Sequence, residues 1–276
     1  ALCRLRRSQP DLGDARRALP MNGRLGMNRT IGVIGFGRFG RLAARYLAPD
    51  GKVRVWDPAA AAPEVLSTGA EPADLATAAR SDIVIPAVPI SRFQEVLGEV
   101  TPHLKAGSLV VDVCSVKELP VRWMQALLPA GVDILGTHPM FGPDSAADSL
   151  KGRKIVLCRV RVGAERYARI RNYLDAKGLA VIESSPAEHD RQIAVSLALT
   201  HFIGRALAGM GATPQEIDTE GYKRLLRILE VVENDTWQLF EDMNRFNPHA
   251  ETARHTFMRA MEEIEKRLNG GKTFKV

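Results

Sequence analysis

From Thr30 onward the chain alternates short apolar runs with polar stretches punctuated by glycine. Residues 31–34, 53–56, 82–88, 108–113 and 132–136 are rich in Val and Ile and too short for helices, so they predict buried strands. Between them, apolar residues recur at helical spacing over 38–48, 74–80, 90–100 and 121–128. Residues 154–159, 165–177 and 179–183 predict one more strand–helix–strand unit at the far end of the sheet. Strands that alternate with helices imply an α/β fold, a Rossmann-like, doubly wound parallel sheet.

After Ser184 the strand signal stops. Ser185-Pro186-Ala187-Glu188 is a capping box with proline at the first helical position, which predicts a sharp helix start. Long helical stretches follow over about 187–210, 214–243 and 248–268, the last closing at Asn269-Gly270-Gly271. The pattern divides the chain into a leader (1–29), a nucleotide-binding domain (30–184) and an all-helical domain (185–276). Three helices rarely complete a core alone, so the helical part is expected to pack on the sheet domain or on a second copy of the chain.

Composition narrows the classes. The 276 residues are 45% hydrophobic and 25% charged, an ordinary globular balance that excludes a disordered or collagenous chain. Cys3, Cys114 and Cys158 are few, odd in number and widely spaced, so free thiols are expected and no metal site is built on them. The formal charge of +6 suggests nucleic acid until it is located. The first 30 residues hold seven Arg and only two acids, so the rest is nearly neutral and a basic binding surface loses its support. That Arg-rich leader fits an organelle transit peptide, but its two Asp and scarce Ser favour an extended or disordered start and a cytoplasmic protein. The longest apolar stretch, 193–212, carries His201 and Arg205 and is too broken to span a bilayer.

Candidate chemistry begins at Gly35-Phe36-Gly37-Arg38-Phe39-Gly40. This G-x-G-x-x-G follows a strand, opens a helix, and precedes Asp57 at the end of the next strand. In that setting the glycines permit a tight turn, close approach to a pyrophosphate and close helix packing, while the helix N-terminus favours an anion. Asp57 would accept hydrogen bonds from ribose hydroxyls and repel a 2′-phosphate. Pro58 and the alanines after it offer no Arg, so NAD is favoured over NADP. Two further strand ends carry polar groups, Asp112-Val113-Cys114-Ser115-Val116-Lys117 and the run from Gly136 through His138 to Asp144-Ser145. His138 suits a general base and Ser115 an orienting hydroxyl. A turn histidine and a helix cap are the plainer readings of the same two residues.

Val88-Pro89-Ile90, the 112–117 string, Thr137-His138-Pro139-Met140-Phe141-Gly142-Pro143-Asp144-Ser145, Glu188-His189-Asp190 and the run from Ala198 to Phe202 resemble the prephenate/arogenate dehydrogenase family over about residues 30–250. The resemblance implies NAD(P)-dependent oxidative decarboxylation of a cyclohexadienyl acid in tyrosine biosynthesis, by a Rossmann domain followed by a helical dimerisation domain. It also implies that His138 contacts the substrate hydroxyl with Ser115 beside it, that Val88 and Pro89 border the cofactor, and that Asp144 and Ser145 approach the substrate. His201 is similar to the family's substrate-binding histidine. His189 falls on another stripe of the same helix, so it need not act with His201 and fits a capping role equally well. Members carry an Arg beside an aromatic in the second helical stretch; here Tyr222 is followed by Lys223 and Arg224, with Arg227 a turn on, and one of these cations is expected at a substrate carboxylate. Val195 stands where arogenate-specific members place Asp, so prephenate is the expected substrate, with arogenate or both as the alternative. A catalytically silent NAD-binding regulator is the reading from another class.

Overall fold

The computed structural model describes residues 29–232 and 234–270. Eight strands form one sheet in the order β3-β2-β1-β4-β5-β6-β7-β8. The strands are β1 (Thr30–Ile34), β2 (Lys52–Trp56), β3 (Glu71–Pro72), β4 (Ile83–Pro86), β5 (Leu109–Asp112), β6 (Asp133–Pro139), β7 (Lys154–Arg161) and β8 (Ala180–Glu183). Side chains alternate across it as the period of two requires. On β5, Leu109 faces the core beneath α1 (Arg38–Leu47) and α6 (Ala164–Ala176), whereas Val110 faces α4 (Ile90–Val100) and α5 (Glu118–Leu127). Ile134 and Leu135 of β6 divide in the same way. Phe93, Leu97 and Met124 fill the second layer and are fully buried.

The chain direction holds one departure from a wholly parallel sheet: β6 and β7 pair antiparallel. That pairing lengthens β6 beyond the expected run, so Thr137, His138 and Pro139 lie on the strand, His138 opposite Val156, and not in the loop that follows. Two small elements carry too little pattern for the sequence to mark them, β3 and the short helix α2 (Ala62–Leu66). α3 (Leu75–Ala79) packs so close to β1 that a Cβ on Gly32 would lie 2.0 Å from the Ala78 carbonyl oxygen. The strand order reverses beside β1, and the crevice at that switch point opens at the carboxyl ends of β1 and β4, the usual ligand site of such sheets.

The helical part begins at the expected cap, but only half of the capping box forms, because the Glu188 carboxylate turns to Arg191 and Gln192. Ser185 accepts the Glu188 N–H at 3.2 Å at the start of α7 (Pro186–Ile193). A π-helical turn, Ala194–Leu199, joins α7 to α8 (Thr200–Gly209). The expected second stretch is not one helix. Residues 214–219 stay irregular, and the remainder divides into α9 (Glu220–Val232) and α10 (Trp237–Arg245). Thr236 causes the division, since its hydroxyl caps α10 by accepting the Leu239 N–H at 3.1 Å. α11 (Ala250–Leu268) closes the described chain. None of these helices is long and apolar enough to cross a membrane.

Candidate active site

The glycine turn sits where β1 meets α1. Gly35 takes a φ of +99°, which side chains rarely adopt, and a Cβ there would press to 2.6 Å from the Ala87 carbonyl oxygen. A Cβ on Gly40 would come within 2.2 Å of the Gly35 carbonyl oxygen, so the helix can pack against its own turn only as glycine. Gly37 differs: a Cβ there would meet nothing within 4 Å, leaving open space in front of α1, whose N-terminus has no side-chain cap. Free N–H groups, a positive dipole end and open space together fit a dinucleotide pyrophosphate. Asp57 is at hand, its carboxylate accepting the Phe36 N–H at 2.6 Å and the Ala59 N–H at 2.8 Å. Arg41 lies over the Phe36 ring at 4.6 Å, and Phe39 packs into the core below α1. Val88 and Pro89 follow β4, where Pro89 precedes the first turn of α4.

The second half of the site is a buried polar network below the ends of β5 and β6. Lys117 and Asp112 are both fully buried and paired, and the Lys117 ammonium also donates to the Thr137 carbonyl at 2.5 Å. Burial pushes the Asp112 carboxyl above its ordinary range despite the attraction of Lys117. The same lysine donates its backbone N–H to Asp190 at 2.7 Å, and Glu118 donates its own to the other oxygen at 2.9 Å. One residue therefore ties β5, the backbone beside His138, and α7 together.

His138 and His189 meet on this network. Nδ1 of His138 lies 2.9 Å from Nε2 of His189, the rings edge to face, and Nδ1 of His189 lies 2.7 Å from Asp190. Burial, then the neighbouring His189 and Lys117, hold the His138 imidazole well below its ordinary value of 6.5. The ring is thus kept neutral, which a base requires. Ser115 sits on the β5–α5 connection with a buried hydroxyl that has no partner among the described residues. A buried hydroxyl left unpartnered at the end of the strand next to β6 fits a group held in readiness for a ligand.

The other expected residues fall at different depths. His201 is 2% exposed on α8, with Nδ1 unpartnered, Nε2 3.7 Å from Asp235, and a pKa lowered by burial. Arg205, one turn on, donates to the Asp235 carbonyl and stacks over Trp237 at 4.8 Å, while its buried Nε has no partner among the described residues. Arg38 does not point its guanidinium solely at the turn; it binds Asp144 at 2.6 Å and the Asn234 carbonyl. Ser145 closes its own loop on Gly142. Lys223 pairs with Glu220 on exposed α9, and Arg224 is exposed beside it. Neither donates to the His138 network.

Cys114 and Cys158 are free and buried, and burial raises both thiols, Cys158 to about 12, which leaves them inert. Cys3 lies outside the described residues. The contact between His138 and His189 was not foreseen; its one signal was the adjacency of His189 to Asp190 in a capping turn.

Residues 58–183 match the family model for the nucleotide-binding domain of prephenate dehydrogenase, starting one residue after Asp57. Residues 206–275 match a model for a TYRAAT1-like C-terminal domain. Chloroplastic arogenate dehydrogenase 1 of Arabidopsis thaliana is 32% identical over 255 residues, 89% of this chain but 40% of that protein. Chloroplastic arogenate dehydrogenase 2 of the same plant is 34% identical over 251 residues, 87% of this chain and 70% of that protein. The crystal structure of prephenate dehydrogenase from A. aeolicus, in complex with hydroxyphenyl propionate and NAD+, shares the fold with a TM-score of 0.68 at 21% identity, over 88% of this chain and 90% of that one.

Proposed function

The chain belongs to the arogenate/prephenate dehydrogenase family, and we propose that it catalyses the NAD-dependent oxidative decarboxylation of prephenate to 4-hydroxyphenylpyruvate and CO2. The observation that carries this reading is the buried His138 at the end of β6, held below its ordinary value and backed by His189, with the unpartnered Ser115 hydroxyl following the neighbouring strand β5. NAD+ held on the open face of Gly37 and at Asp57 supplies the hydride acceptor. His138 takes the proton of the ring C4 hydroxyl, and Ser115 holds that hydroxyl in line. Loss of the C1 carboxylate as CO2 then restores an aromatic ring, which drives the reaction forward.

Prephenate is a dianion, and cations or donors must receive its carboxylates. His201 and Arg205 carry unpartnered buried nitrogens and fit that role better than Lys223 and Arg224, which lie exposed. Arogenate is the second reading. Asp190 is already filled by two backbone N–H groups and His189, so it offers nothing to an ammonium. Asp235 is partly exposed and only loosely paired, 3.7 Å from His201 Nε2 and 3.9 Å from Arg38, so it suits an ammonium better, and two relatives are named for arogenate. We further propose a homodimer built through the helical part of the chain, acting in the cytoplasm; the chloroplastic relatives support an organelle instead.

Purified protein offered prephenate or arogenate, each with NAD+ or NADP+, tests the reading. NADH formed from prephenate, with a lower kcat/KM for arogenate, is the expected outcome. No turnover in any of the four combinations would leave a silent nucleotide-binding regulator as the surviving account.

A further inference from the structure

We propose that His189 is a positioning residue, which fixes the tautomer of His138 so that its Nε2 is bare and faces the substrate hydroxyl. The proposal rests on His138 being the base of the reaction above. Its geometry begins at Asp190, which is fully buried. Oδ1 of Asp190 accepts the Lys117 N–H at 2.7 Å and Oδ2 the Glu118 N–H at 2.9 Å, so both oxygens act as acceptors. A group that only accepts makes the neighbouring Nδ1 of His189, at 2.7 Å, the donor.

A neutral imidazole carries one N–H, so a proton on Nδ1 leaves Nε2 of His189 with a lone pair. That nitrogen lies 2.9 Å from Nδ1 of His138, which must therefore donate. The remaining nitrogen of His138, Nε2, is then the bare one. With His189 in its neutral form, the chain of assignments runs from two backbone amides to the reacting atom. Its anchor is the fold itself, since Asn247 also holds the Asp190 backbone by donating to its carbonyl at 2.9 Å.

During the reaction the substrate O–H bond breaks, its proton goes to Nε2 of His138, and the electron pair stays on the substrate oxygen. His138 becomes an imidazolium whose Nδ1–H still donates to His189. With the opposite tautomer, Nε2 would already hold a proton and nothing could be taken up there. His189 thus acts on the rate of the chemical step and leaves substrate affinity alone. The sequence resemblance also offers His189 as a substrate-binding residue; on the present proposal it acts on His138 instead.

The full-length protein labelled with ¹⁵N-histidine tests the assignment without substrate. Long-range nitrogen–proton correlation spectra, with the His138 signals identified by their loss in His138→Asn, are expected to give a protonated Nδ1 and a bare Nε2 on His138. A proton on Nε2 of His138 in the unmodified protein overturns the proposal. Two variants extend the test to turnover of prephenate. In His189→Gln the amide oxygen can still accept from His138 Nδ1, so kcat is expected to stay within about tenfold. His189→Phe offers no acceptor, and kcat is expected to fall by about 100-fold or more with KM within about threefold. Equal losses in the two variants would mean a merely structural role and also overturn the proposal. The spectrum requires no turnover, so a bare Nε2 in a protein that ignores both substrates would count against the reaction and not against the tautomer.

Discussion

A histidine works as a base only while its ring is neutral, and the surroundings of His138 favour that form. It is 6% exposed, it faces another imidazole, and the Lys117 ammonium lies beneath it. Burial above all opposes a positive charge on the free enzyme, so the protonated, inactive form appears only well below pH 6.5. The plateau of kcat/KM is therefore expected to reach into mildly acid solution, with its acid limb below the ordinary histidine value. A limb centred at or above 6.5 would mean that a different group titrates. His138→Asn removes the base while keeping a polar side chain of similar shape, and kcat is expected to fall by about 10²- to 10⁴-fold. At the same scale the Asp57 carboxylate sits beside Phe36 and Ala59 at the mouth of the turn, where the proposed role would have it meet the cofactor.

At the scale of elements, the cofactor turn depends on how closely α1 approaches β1. A methyl group at position 40 would stand 2.2 Å from the Gly35 carbonyl oxygen, and backbone cannot move aside as a side chain can. Gly40→Ala is thus expected to lower stability by about 1–3 kcal/mol and to weaken NAD binding more than prephenate binding. Denaturant unfolding and cofactor titration check both halves; unchanged cofactor affinity would contradict the role given to the turn. Much of this element was legible beforehand, because G-x-G-x-x-G with Asp57 after the next strand is a local pattern set by local sterics. The capping box at Ser185 was equally plain. The antiparallel pairing of β7 was not, since strand direction depends on a connection whose path no periodicity encodes. The break at Thr236 was hidden because apolar spacing runs through it from α9 to α10. The π-helical turn at 194–199 shifts the phase of every residue after it, so stripes drawn from an ideal helix misplace His201 relative to His189.

Across the whole molecule, the buried histidines make stability depend on pH. His138 and His201 both have folded values below 6.5, so the unfolded chain binds their protons more readily. Their contribution is present in full above about pH 6.5 and is lost as pH falls through that value toward the folded ones. The slope between pH 7 and pH 5.5 is expected to reach at most about 1.4 kcal/mol per pH unit for each histidine, and His201→Gln should flatten it. A slope the same in His201→Gln would contradict the assignment. The helical end adds a second expectation. Met258, Met261, Ile264 and Leu268 lie along one exposed face of α11, Leu268 at 77% exposure, more apolar surface than a lone helix commonly leaves in water. Light scattering is expected to give twice the mass of the chain, with Ile264→Lys shifting it toward the monomer.

The catalytic expectations rest on one reaction at one base. Its most direct measurement is the balance of products from prephenate and NAD+, with NADH, CO2 and 4-hydroxyphenylpyruvate quantified in the same sample. Equal amounts of the three are predicted, with all three falling together in His138→Asn. NADH released without CO2, or full turnover in His138→Asn, would contradict the account.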